Sequence, residues 1–254
     1  MILIPGLACS GEVWAGTVEH FRSRYQIHIL TLAGFAGQPA IRSPFLATVR
    51  DDLVTYIEAQ HLDHPVLVGH SLGGFLAFWV ASTAPTRVGP VIAVDGVPYL
   101  SALFRPDATV ATSRPFAEQL REQLAGMSRD AYAKQSRASV AQMVIDPESA
   151  DLVARMGAAS DPAAVGEAMY EMMTTDLRDS VARIETPVLL LASDPSVAGG
   201  PSPEETRLEY ETQVADVPRH DVVVAKGSRH FIMLDAPDFL FQQMDTLLAK
   251  AGGG

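Results

Sequence analysis

Short apolar runs alternate along this chain with longer segments whose apolar residues recur at helical spacing. Residues 2–4 read as a strand, 5–11 as a loop, and 12–22 as a helix with Val13, Trp14, Val18 and Phe21 at helical spacing. Residues 25–32 read as a second strand, with Ile27, Ile29 and Thr31 on one face and His28 and Leu30 on the other. Residues 46–60 form an amphipathic pattern with Val49, Leu53 and Ile57 as its stripe. Residues 65–68 are continuously apolar, the pattern of a strand buried on both faces. A buried helix to about residue 82 and another strand over 88–94 follow. The alternation then stops, and 98–183 read as helical segments broken by Pro106, Pro115, Pro147 and Pro162. It resumes with a strand over 187–192, a helix over 203–214, a strand over 221–225 and a closing helix over 237–249. Strand–helix alternation predicts an α/β fold, with a mostly parallel sheet, right-handed crossovers and helices on both faces. Residues 1–97 and 184–254 would form its core, and 98–183 a helical cap or lid inserted ahead of the next strand.

The densest chemical signal lies between the 65–68 strand and its helix, in Gly69-His70-Ser71-Leu72-Gly73. Gly-x-Ser-x-Gly in a strand–turn–helix context is the pattern of a nucleophile elbow. The turn is so tight that a Cβ at Gly69 or Gly73 would meet the neighbouring strand or helix. Ser71 is expected in a strained conformation that lifts its Oγ above the sheet. A serine hydroxyl needs a base, and the base an orienting acid. His230, in the loop after the last predicted strand, is the candidate base, because ligands of open α/β sheets bind at the strands' C-terminal ends. His70 is expected to point away from the serine hydroxyl. Asp194, just past the 187–192 strand, is the favoured acid and gives the chain order Ser, Asp, His. Asp95, ending the 88–94 strand, is its competitor. Backbone N–H groups of Leu72 and of Leu7, in Pro5-Gly6-Leu7-Ala8, are the candidate oxyanion donors.

Composition narrows the partners. A length of 254 residues suits one large α/β domain, and a net charge of −11 argues against nucleic acid and anionic membranes. The one cysteine, Cys9, excludes an intrachain disulfide, and no apolar run approaches the roughly 20 residues of a membrane span. The first residues have no basic or long apolar segment of a signal peptide. The chain as written is therefore expected to be cytoplasmic, an exported form with a removed leader being the alternative. No metal or organic cofactor is expected. Met127, Met143, Met156, Met169, Met172 and Met173 fall within 98–183 and suit an adaptable apolar lid. Phe35, Phe231, Met169 and Met173 are the expected lining of an apolar acyl pocket.

Taken together, Ile4-Pro5-Gly6-Leu7 ahead of the helix with Trp14, Gly69-His70-Ser71-Leu72-Gly73-Gly74, the strand ending at Asp194, and Gly227-Ser228-Arg229-His230-Phe231 resemble the α/β-hydrolase superfamily, in its lidded esterase and lactonase-like branch. The resemblance spans nearly the whole chain outside the lid. It implies an α/β-hydrolase fold and a serine hydrolase that cleaves small-molecule carboxylic esters of short to medium acyl chain through an acyl-enzyme. Lactones, or C–C cleavage of a diketone, would use the same triad, and a small-molecule receptor on this fold is the non-enzymatic alternative. Three departures stand out. Pro5-Gly6 replaces the family's usual His-Gly. Thr31-Leu32-Ala33-Gly34-Phe35-Ala36-Gly37 replaces its Asp-x-x-Gly-x-Gly loop. The two leading antiparallel strands are missing from this sequence, which would leave an exposed sheet edge, through trimming or for a partner such as a second copy.

Overall fold

The computed structural model describes residues 1–252. Its centre is a sheet of six strands in the order β2-β1-β3-β4-β5-β6, and every pairing is parallel. The strands are β1 (Ile2–Ile4), β2 (His28–Ile29), β3 (Leu67–His70), β4 (Val91–Val94), β5 (Val188–Ala192) and β6 (His220–Val224). The α-helices between and after them are α1 (Ala15–Phe21), α2 (Phe45–Ala59), α3 (Leu72–Thr83), α4 (Leu100–Phe104), α5 (Val110–Ala125), α6 (Arg129–Met143), α7 (Pro147–Ala159), α8 (Pro162–Thr174), α9 (Pro203–Val214), α10 (Ile232–Asp235) and α11 (Pro237–Gly252).

Period-two alternation sends successive strand residues to opposite faces. Ile2, Ile4, Leu67, Val91, Val188 and Leu190 pack with residues of α2, α3 and α9 on one face. Leu3, Val68, Ile92, Val94, Leu189 and Leu191 pack with Trp14 and with Phe21 of α1 and Leu240 and Met244 of α11 on the other. Burial on both faces explains why the central strands read as continuous apolar runs. β2 is far shorter than the 25–32 run suggested. It pairs with β1 alone, which offers only three residues, and Ile29 stays 48% exposed at the sheet's edge.

The chain leaves β1 for β2 on one side and returns to β3 on the other. Strand order therefore reverses between β1 and β3, the kind of switch point at which α/β sheets open a crevice. The loops leaving β1 and β3 face each other there.

Between β4 and β5 the chain is entirely helical, α4 to α8. Pro147 and Pro162 begin α7 and α8, where a missing N–H is harmless. Pro115 does not break the chain as expected, but lies inside α5, where it only deprives the Ala111 carbonyl of its donor. α8 is tied to the core by Glu171. Its buried carboxylate accepts from the N–H groups of Phe45 at 2.5 Å and Leu46 at 2.8 Å, at the start of α2. That helix has no side-chain cap of its own, so Glu171 supplies both the acceptor and the negative charge its N-terminus favours.

Candidate active site

Ser71 sits between β3 and α3 with φ 53° and ψ −117°, a backbone conformation that L-residues rarely adopt. The glycines around it leave no alternative. A Cβ on Gly69 would come within 2.0 Å of the Gly73 carbonyl oxygen, and one on Gly73 within 2.2 Å of the Ile4 carbonyl oxygen. A Cβ on Gly6 would stand 3.2 Å from that of Ser71, so the loop after β1 passes directly over the serine. Leu7 lines the same cavity as Ser71. The N–H groups of Leu7 and Leu72 make no backbone hydrogen bond among the described residues, so both remain free to donate.

His230 lies in the loop between β6 and α10, and its Nδ1 is 2.6 Å from Asp95 Oδ2. Asp95 ends β4 beside the elbow: its N–H donates to Leu191 at 2.7 Å, while that of Ser71 donates to Val94 at 2.9 Å. Its second oxygen, Oδ1, accepts from the Ser193 N–H at 2.8 Å and the Tyr210 hydroxyl at 2.9 Å. Burial pushes the Asp95 carboxyl up, but the His230 imidazole, helped by those two donors, outweighs it and holds the group below its ordinary value. Burial beside this carboxylate pushes the Tyr210 hydroxyl well up, so it remains a donor.

Asp194, the acid favoured from sequence, is not against His230. Its Oδ1 accepts from the hydroxyl of Ser196 at 2.5 Å and the N–H of Ser196 at 3.2 Å. Its Oδ2 accepts from the Gly227 N–H at 2.9 Å. Asp194 thus caps the turn after β5 and staples it to the loop that carries His230. Burial pushes its carboxyl up, and these donors pull it below the ordinary value.

His70 lines the cavity, and its ring lies 4.6 Å from that of His230 and 4.5 Å from that of Phe231. Its Nε2–H donates to the His230 carbonyl at 3.0 Å, while its buried Nδ1 has no partner among the described residues. Burial, then the neighbouring His230, push His70 down to about 3. An unfolded histidine takes up a proton near 6.5, so between about 6.5 and about 3 the unfolded chain binds the extra proton. Stability from His70 is therefore complete above that window and is lost as pH falls through it. Urea midpoints measured across the window should fall less steeply for His70→Gln than for the parent; parallel curves would refute this source of acid sensitivity.

The cavity around Ser71 and His230 measures about 510 Å³. The core gives it Leu7, Phe75 and Phe231; α4 to α8 give it Leu100, Leu124, Val153, Met169 and Met172, among others. Phe231 and Met169 thus lie where the sequence reading put them. Phe35 and Met173 do not line it. Phe35 is wholly buried with its ring edge-on to Phe45, and Met173 is buried where its carbonyl accepts from Ser101. Sequence reasoning missed Tyr210 and Ser193, because a hydroxyl on an amphipathic helix and a backbone N–H carry no local signal. Asp95 did carry one, its place at the end of the strand after the elbow; the Gly96 that follows lies against the elbow, where a Cβ would meet the Ser71 carbonyl oxygen at 2.3 Å. Among the described residues there is no group of three or more His, Cys, Asp or Glu that could hold a metal, and no helix long and apolar enough to cross a membrane.

A parallel α/β sheet with a serine elbow, a histidine on the last loop and a carboxylate against it defines a recognised class. Residues 1–243 match the model of the alpha/beta hydrolase family, and the chain belongs to that family. It is 29% identical over 191 residues to a pimeloyl-[acyl-carrier protein] methyl ester esterase of Aliivibrio salmonicida, covering 74% of this chain and 70% of that protein. In fold it is similar to MenH from S. aureus, with TM-score 0.79, 14% identity, and 99% and 94% of the two chains covered. It is similar too to a thermophilic esterase from Thermogutta terrifontis, with TM-score 0.76, 21% identity, and 98% and 89% covered.

Proposed function

We propose that this protein hydrolyses uncharged carboxylic esters of short to medium acyl chain, with Ser71 as nucleophile, His230 as base and Asp95 as the acid that orients it. Its family and its esterase relatives make it a carboxylic ester hydrolase. The observation that carries the triad is the 2.6 Å contact of His230 with Asp95, at the cavity that also holds Ser71.

In this mechanism His230 Nε2 takes the Ser71 proton as Oγ attacks the ester carbon. The carbonyl oxygen becomes an oxyanion between the Leu7 and Leu72 N–H groups, donors fixed before the charge develops. His230 returns the proton to the departing alkoxide, leaving an acyl-serine, and then deprotonates the water that releases the acid. Asp95 keeps the proton of the resting imidazole on Nδ1 and balances its positive charge. Helices α4 to α8 act as the cap, closing apolar surface over the acyl chain.

The test is steady-state hydrolysis of p-nitrophenyl esters from acetate to palmitate, beside methyl esters of the same acids. Methyl esters are included because the relative named above is a methyl ester esterase. Turnover peaking at short or medium acyl chains, with stoichiometric labelling of Ser71 by a fluorophosphonate, is expected. A folded protein that turns over none of these esters and leaves Ser71 unlabelled would sink the reading.

A further inference from the structure

One wall of the cavity is not apolar. Tyr132, Gln135, Ser136 and Ser139 all line it, and their spacing places them along one stripe of α6. The helix is fixed across the site. At its C-terminal end the Met143 carbonyl accepts from Phe231, and the Arg229 guanidinium donates to the carbonyls of Ala141 and Val144 at 3.1 Å. Three turns away, Tyr132 is buried and lines the cavity with Ser136, one turn further along the same stripe. Gly157 of α7 makes room for Ser136: a Cβ there would come within 2.2 Å of its hydroxyl oxygen. Among the described residues, no Lys, Arg or Glu lines the cavity.

We infer that this stripe is a specificity site for an uncharged group that both donates and accepts hydrogen bonds, a hydroxyl or a primary or secondary amide, carried on the substrate's chain away from the ester. The inference rests on the ester-hydrolase reading of the same cavity. A plain alkyl chain laid on the stripe would cover the Tyr132 and Ser136 side chains and offer their hydroxyls no partner, while Gln135 and Ser139 stand exposed at the cavity's mouth. A distal carboxylate would meet no cation and would add a charge to a wall that offers only neutral partners. A neutral group that both donates and accepts satisfies serine hydroxyls, the glutamine amide and the tyrosine alike. Apolar cavities with a few convergent polar groups select ligands in this way.

The experiment compares kcat/KM for methyl hexanoate, methyl 6-hydroxyhexanoate and monomethyl adipate, with the 4- and 8-carbon hydroxy esters to locate the group. The parent protein should favour one hydroxy ester over its plain counterpart by about five- to tenfold, the worth of one neutral hydrogen bond, and should disfavour the monoester acid. Ser136→Ala and Tyr132→Phe should each shrink that ratio. Indifference to the hydroxyl in the parent, preference for the carboxylate, or a ratio unchanged in both variants would overturn the inference. Calorimetric binding of 2-heptanone and 7-hydroxy-2-heptanone to the Ser71→Ala protein keeps the two readings separable. A hydroxyl preference in binding without ester turnover would support the stripe and refute the hydrolase; turnover without any hydroxyl preference would do the reverse.

Discussion

Ser71→Ala should leave the fold intact and lower kcat on every ester by about 10⁵- to 10⁶-fold, the scale on which serine hydrolases lose activity with their nucleophile. The side chain is short and half-buried at the cavity wall, so its loss opens no core. Ser71→Gly should be equally inactive but more stable than Ser71→Ala. At φ 53° and ψ −117° any Cβ is strained, by about 1–3 kcal/mol, and only glycine relieves it. For a chain of this size a gain of about 1 kcal/mol raises the melting temperature by about 2–4 °C. Thermal melts beside ester kinetics read both effects. Retained turnover in Ser71→Ala would remove the serine from the chemistry. Equal melting of the alanine and glycine proteins would show that the elbow stores no strain.

The elbow could be read from the sequence because its constraints are local. Gly69, Gly73 and Ser71 occupy one turn whose tightness alone excludes a Cβ at Gly69; at Gly73 the obstacle is the Ile4 carbonyl of β1, but the pattern of the turn marks both positions. The strands were legible for a related reason: β3, β4 and β5 are buried on both faces, so β4 and β5 are apolar throughout and β3 is apolar up to His70. β2 was overread because its extent depends on what its neighbour offers, and β1 ends after three residues. The pocket lining was half legible. Met169 and Phe231 face the cavity, whereas Phe35 and Met173 belong to packing that only the docking of α8 and α2 decides. Non-local hydrogen bonds were the least legible. Glu171 reads as one more charged residue of a helix until its carboxylate is found on the first turn of α2.

The choice of acid depends on such non-local contacts, and it yields the second large effect. Asp95→Asn should lower kcat by about 10³- to 10⁴-fold with little change in KM, because an amide facing Nδ1 can stabilise the wrong imidazole tautomer and cannot balance its charge. The neighbouring donors sharpen this expectation. Ser193 and Tyr210 hold Oδ1, so the other atom of the group, the one facing His230, is the one whose chemistry changes. Asp194→Asn should behave differently. Its carboxylate serves the Ser196 hydroxyl and the Gly227 N–H, and an amide oxygen can still accept from one of them. Its loss should loosen the loop that carries His230, costing less than about tenfold in kcat, with a lower melting temperature as the main effect. The order of the two effects decides between the acids. If Asp194→Asn were the variant to lose a thousandfold and Asp95→Asn lost little, His230 would have to turn from β4 toward β5 in the working enzyme. The hydrogen bond from the Asp194 N–H to the Ser228 carbonyl would then be the hinge contact to examine. If Asp95→Asn carries the loss, the acid lies on the strand next to the nucleophile, and Asp194 holds in place the loop that brings the base to it.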